Sequence, residues 1–181
     1  MAIYHFTTKV HGRADNPKLH ALRALAYRAA QVIHLPEIGR RFNYWYKKKE
    51  VVATETMVPK TAPSWMTGAM ELWRRVEEKE TRDDAQIFRE IEAALPIELP
   101  LEQQIEGMCA TYAIHHKPGN PHVHMMLTMR ELTPDGEFGK KNRAWNNRAF
   151  LQRWRDAWEK HVNDALAAAG FDARISAKAY K

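Results

Sequence analysis

ATYAIHHKPGNPHVHMMLTMREL, residues 110–132, is the stretch on which the fold turns. ATYAIHH and HVHMMLTMREL read as two strands joined across Lys117-Pro118-Gly119-Asn120-Pro121, a cluster of turn formers. His122 and His124 are two apart and project from one face of a strand, and His115 reaches that face from the neighbouring strand. Three neutral imidazoles can hold a divalent metal and leave a coordination position for water or phosphate. A purely structural hydrogen-bond cluster is the alternative. His116 points the other way on a regular strand, yet stays a competing ligand because the turn permits local departures.

Outward from this hairpin the periodicity alternates. Ile3 to Val10 fits a strand. His5 there faces away from Tyr4 and Phe6, and would approach a phosphate only from a central strand. Pro17 suits the start of a helix whose apolar surface runs through Leu22, Leu25, Ala26, Ala29, Ala30 and Ile33, ending before or near Pro36. FNYWY (42–46) and VVATETMV (51–58) predict two strands joined by the basic turn Lys47–Lys49. Ala69, Leu72, Trp73 and Val76 mark a helix over roughly residues 66–79. IFREIEAALPIEL (87–99) is open between strand and helix; as a strand it sets Glu90 and Glu92 on one face, where either could orient a ligand histidine. A short helix over 101–108 is expected next. Phe150, Leu151, Trp154, Trp158, Val162, Leu166 and Ala169 trace a long last helix that stops near Gly170. The alternation predicts an α+β fold, a mostly antiparallel central sheet backed by helices, in a single domain over 1–181.

Of 181 residues, 45% are hydrophobic and 28% charged, which excludes wholesale disorder. Lys and Arg number 28 against 22 Asp and Glu, a formal net charge of +6 that raises nucleic acid as a partner. There is no apolar run of about 18 residues and no secretion signal at the opening, so no membrane insertion is expected. The single Cys109 permits no intrachain disulfide, and a cytoplasmic location follows as the simpler expectation. Arg40, Arg41, Lys47, Lys48 and Lys49 surround Tyr44 and Tyr46, a combination suited to phosphate attraction and base stacking on single-stranded DNA. A solvated basic turn beside a packed strand is the other reading. Lys140, Lys141 and Arg143 form a second basic group. Trp73, Trp154, Trp158, Met125 and Met126 are read as packing residues. From the residues alone Tyr27 is a partly buried helical aromatic.

IHHKPGNPHVH and LRALAYRAA together resemble the MobA/MobL family of plasmid relaxases, of the histidine-hydrophobic-histidine, single-tyrosine class. GRRFNYWYKKKEVVATETMVPKTAPSWM, ELWRRVEEKE, REIEAALPIEL and WRDAWEKHVNDAL are similar to successive parts of the same catalytic domain. The resemblance implies a relaxase or rolling-circle-initiator-like fold and a nicking and rejoining activity, specific for site and strand, at a plasmid origin of transfer. It implies His115, His122 and His124 as ligands of a divalent ion, Mg²⁺ or Mn²⁺, and selects His115 over His116. Tyr27 becomes the nucleophile that forms a 5′-phosphotyrosyl link and frees a 3′-OH, with Tyr44 and Tyr46 behind it. Origin-of-transfer DNA, relaxosome proteins and conjugation coupling proteins are the implied partners, with passage to a recipient cell while DNA-linked. A DNA-binding mobilisation or replication accessory that does not cut is the competing class. The stretch between LPLEQQIEGMC and ATYAIHH is shorter than the family pattern, and ARISAKAYK departs from it. No separate motor domain is expected in this length, whether the chain is complete or cut from a longer protein.

Overall fold

The computed structural model describes residues 4–58, 62–95, 111–133 and 135–178. The helix expected over 101–108, the shortened stretch and Cys109 lie outside the described residues. Along the chain run β1 (Phe6–Gly12), α1 (Ala21–Arg28), β2 (Val32–Leu35), β3 (Arg40–Asn43), β4 (Val51–Thr56), α2 (Ala69–Lys79) and β5 (Gln86–Ala94). β6 (Thr111–Lys117), β7 (Asn120–Thr128), β8 (Arg130–Leu132), β9 (Phe138–Lys141) and α3 (Arg148–Ala168) complete it.

The β6–β7 hairpin forms as the Pro-Gly turn predicts. Lys117 pairs with Asn120, so only Pro118 and Gly119 lie in the loop, and Gly119 takes the positive φ of 71° that a Pro-Gly turn requires at its second position. This hairpin is central in a five-stranded antiparallel sheet of order β1-β5-β7-β6-β4. IFREIEAALPIEL therefore resolves as a strand over its first eight residues, buried Arg89, Ile91 and Ala93 alternating with half-buried Glu90 and Glu92. β1 is an edge strand, so His5 is held beside Glu92 at the margin, 3.7 Å away.

Directly paired residues share a face, which sorts the sheet into two sides. One side, with Phe88 and Met126, packs under α1 and α2 through Leu22, Leu25, Leu72 and the wholly buried Trp73. The other, with Phe6, Ile91, Ile114, Val123 and Met125, is covered by Leu151, Trp154 and Trp158 of α3. Full burial of each such side chain contributes about 1.5–3 kcal/mol. α3 begins at its Asn147 cap, whose side chain accepts from the Ala149 amide. It ends in paired bonds from the amides of Gly170 and Phe171 to the carbonyls of Ala167 and Leu166, with Gly170 at φ 79°.

Three expectations change. The first helix stops at Arg28, short of the surface read through Ala29, Ala30 and Ile33: Ala30 adopts φ 51°, the Gln31 amide closes on the Ala26 carbonyl, and residues 32–35 pair with 40–43 as β2–β3. FNYWY and VVATETMV do not form a hairpin. Phe42 ends in β3, Trp45–Lys47 is a 3₁₀ turn, and β4 pairs with β6, because each segment finds a better partner elsewhere in the chain. HVHMMLTMREL is divided after Thr128, and Arg130–Leu132 turns away to pair with Phe138–Lys141.

Candidate metal and nucleophile site

His115 and His122 face each other across the hairpin, and His124 lies two residues along β7. Their ring centroids are 4.8–5.2 Å apart, and one ring nitrogen from each lies within 4.8 Å of the others. Every ring is held by its second nitrogen. His115 Nε2 donates to the Arg28 carbonyl at 2.8 Å, His122 Nδ1 to the Asn120 carbonyl at 2.8 Å, and His124 Nδ1 to the Glu90 carboxylate at 3.0 Å. An N–H fixed on an oxygen sets the tautomer and leaves the other nitrogen as a lone-pair donor, the usual support of a metal-bound histidine. His115 Nδ1, His122 Nε2 and His124 Nε2 are the atoms left to ligate. Bonds of about 2.1 Å need every pair within about 4.2 Å, so the 4.8 Å spread must close by about 0.6 Å for all three to ligate one divalent ion.

Protonation would defeat this donor set, and the fold opposes it. Burial pushes His115 down to about 4, helped by the positive charge of neighbouring His124, Lys47 and His122 and resisted by its bond to the Arg28 carbonyl. Burial lowers His122 in the same direction. Glu90 binds the site into one network. It accepts from His124, from His11 Nε2 at 2.8 Å, and from Arg28 Nε at 2.7 Å. Burial alone would raise its pKa, but the bonds from His11, His124 and Arg28 outweigh it and hold the carboxyl well below the usual range.

Tyr27 stands one residue before Arg28, in the last turn of α1. Ala21, Leu22, Ala24, Leu25 and Ala26 turn into the core, whereas Tyr27 is 42% exposed. Its ring meets Tyr44 edge-on at 5.3 Å and carries Lys47 Nζ 3.4 Å above its centroid. A groove of about 440 Å³ opens beside it, lined among others by Lys18, Arg23, Arg28 and Tyr44.

The remaining sequence candidates separate. His116 is exposed and lies outside the imidazole cluster, because its position alternates to the opposite side of β6. Glu92 shares Glu90's face but stays 3.9 Å from His124 Nδ1. Arg40, Arg41, Tyr46, Lys48 and Lys49 are exposed and Tyr44 is half-buried, consistent with a basic aromatic surface. Lys47 departs from that group: it is 7% exposed, packed on Tyr27, with no carboxylate in ion-pair range among the described residues. Its placement in the 3₁₀ turn, instead of at a hairpin tip, is the reason. Sequence reasoning missed His11 and Arg28. His11 keeps the same strand alternation as Lys9 and Thr7, but only the β1–β5 pairing brings it to Glu90.

Residues 20–181 match the model of the MobA/MobL family. The chain is 30% identical over its whole length to the conjugal transfer protein TraA of Agrobacterium fabrum, and spans 20% of that protein. It is 31% identical over 97% of its length to mobilization protein A of Escherichia coli, spanning 27% of it. A solved structure from work on vancomycin resistance transfer in Staphylococcus aureus superposes with a TM-score of 0.87, at 28% identity, over 99% of this chain and all of that one. With most of its sequence matched by the family model and the sheet and helices superposing along nearly its full length, the chain belongs to the MobA/MobL family.

Proposed function

We propose that this chain nicks and rejoins one DNA strand at a plasmid origin of transfer through a covalent link to Tyr27. The observation that carries the reading is the join at the end of α1. Tyr27 is followed by Arg28, whose carbonyl holds His115 and whose guanidinium holds Glu90, which in turn holds His124. A nucleophile and a three-imidazole cluster are thereby tied through two consecutive residues.

Tyr27 Oη, deprotonated, attacks phosphorus; the P–O3′ bond breaks, the 3′ oxygen takes a proton to leave a free 3′-OH, and the 5′ phosphate stays on the tyrosine. The reverse attack by the 3′-OH restores the strand without ATP, because the phosphodiester energy is kept in the link. Lys47 puts a positive charge against the ring where negative charge accumulates. Held by His115, His122 and His124, Mg²⁺ or Mn²⁺ would polarise a phosphoryl oxygen of the scissile phosphate. Glu90, through His124, and the Asn120 and Arg28 carbonyls keep the imidazoles aimed, while burial favours the neutral form of His115 and His122. Lys18, Arg23 and Tyr44 in the groove, with exposed Arg40, Arg41, Tyr46, Lys48 and Lys49, would hold the strand by its phosphates and bases. Relaxosome and conjugation coupling proteins are the partners this role requires.

A denaturing gel of supercoiled and single-stranded origin DNA, with mapping of the peptide–DNA adduct, tests the reading. Wild type is expected to give a divalent-ion-dependent adduct at Tyr27. Tyr27→Phe is expected to abolish it while keeping DNA affinity within about twofold, since the ring remains. His122→Ala and His124→Ala are expected to lower metal occupancy and cleavage far more than DNA binding. Undiminished adduct in Tyr27→Phe would overturn the assignment, and DNA binding by wild type with no covalent product would favour a non-cutting accessory.

A further inference from the structure

The end of the sheet away from the histidines holds a second concentration of charge. A cavity of about 610 Å³ there is lined by five cations, Arg82, Arg130, Lys140, Lys141 and Arg143, and two carboxylates, Glu80 and Asp84. Buried Glu80 is shared between Arg130 at 2.5 Å and Lys141 at 2.8 Å, and Asp84 is paired with Arg82 at 2.8 Å. Lys140 and Arg143 are exposed and have no carboxylate partner among the described residues. The lining carries three positive charges in excess.

Behind this lining sits a further cation. Arg89 is 4% exposed; it donates to Thr8 at 3.2 Å and to Asn146 Oδ1, lies 5.6 Å from the Trp154 ring, and leaves its buried Nε unpartnered. Among the described residues Arg89 has no carboxylate partner, and a buried cation without a counter-ion is costly. Asn146 also lines the cavity; with Oδ1 engaged by Arg89, its side-chain N–H groups are donors it can offer to an anion. Donors and an excess of positive charge thus border a space with ample room for a phosphate.

We infer that this cavity is a second phosphate-binding subsite, which engages the backbone of the DNA beyond the cleavage point. The inference rests on the DNA reading above and extends it to a site remote from the chemistry. Gln86 lines the cavity and Ala94, eight residues along β5, pairs with His122. At about 3.3 Å per residue the two sites are about 26 Å apart, a distance that one 30-nucleotide strand can bridge.

Fluorescence anisotropy with a labelled 30-nucleotide single strand of mixed sequence, titrated at 50–200 mM NaCl, tests it without any cleavage. The double variant Lys140→Ala/Arg143→Ala is expected to lower the slope of log affinity against log salt by about 1.4, a change of about sevenfold in relative affinity across that range. Lys140→Arg/Arg143→Lys is expected to restore it, and Arg74→Ala/Lys160→Ala, on distant helix surfaces, to leave it unchanged within about 0.3. Inorganic phosphate is expected to shift the Asn146 side-chain amide signals in NMR spectra of wild type but not of the double variant. An unchanged salt slope overturns the subsite. Phosphate shifts with an unchanged DNA slope overturn it too, by leaving a small-anion site. Wild type that binds DNA with the expected slope but forms no tyrosyl adduct would reject nicking and leave the subsite standing.

Discussion

A carboxylate at position 90 accepts from His11, Arg28 and His124 at once, and its neighbour two residues on does not. Strand alternation put Glu90 and Glu92 on one face and therefore left both as partners for a histidine. What separates them is the set of donors on Glu90: His11, His124 and then Arg28 hold it ionised. Glu90→Gln removes the negative charge while keeping the shape, so the anchor that fixes the His124 tautomer weakens to a neutral amide that can also donate. Mn²⁺ affinity is expected to fall about 10–100-fold in isothermal titration, with Glu92→Gln nearly silent. Equal effects of the two changes would remove Glu90 from its orienting role. Lys47 teaches the same lesson at this scale. In sequence it is the first of three lysines, indistinguishable from Lys48 and Lys49, and only a 3₁₀ turn rotates it inward onto Tyr27.

α1 has eight residues, two turns, and carries the proposed nucleophile in its last turn. So short a helix is marginal alone, and its ends decide where Tyr27 sits. At the N-terminus the His20 side chain accepts from the Leu22 amide at 3.3 Å, and Glu77 of α2 accepts from the Ala21 amide while also binding Arg13. An acidic group there also meets the positive end of the helix dipole. Glu77→Ala is expected to cost about 1–2 kcal/mol, because it leaves an amide of the first turn without its acceptor; urea unfolding measures this. A loss below about 0.3 kcal/mol would show that His20 suffices as the cap. At the C-terminus the apolar spacing through Ala29, Ala30 and Ile33 reads as continuing helix. Ala30 instead takes a left-handed conformation usually left to glycine or asparagine, and β2 pairs with β3. Strand pairing formed by residues 40–43 prevails over the local helical period, an outcome invisible within the segment itself.

Across the whole molecule, neutral buried histidines make stability depend on pH in a definable window. Folded His115 accepts its proton only near pH 4, whereas the unfolded chain does so near 6.5. Between those values the unfolded state binds more protons, so stability rises with pH and is lost as pH falls from 6.5 toward 4. His115 alone corresponds to about 3 kcal/mol over that interval, and His122 acts in the same sense. Glu90, depressed on folding, adds a further loss below its unfolded value of 4.5. Urea midpoints of the metal-free protein at pH 4.5, 5.5 and 6.5 are expected to increase in that order; a flat series would contradict burial of neutral His115. A mostly antiparallel sheet backed by helices was legible along the chain, because alternation at period two and the Pro-Gly turn are local properties; that helices cover both of its sides was not. The pair His122 and His124 was legible for the same reason, since a strand puts residues two apart on one side. Only the tertiary structure decided that β5 lies between β1 and β7, which brings His11 and Glu90 to His124, and that α1 ends over β6, which ties Arg28 to His115 and sets Tyr27 beside Lys47. Those meetings join residues tens of positions apart, and such pairings are chosen by the packing of entire faces, for which no short window of sequence holds the information.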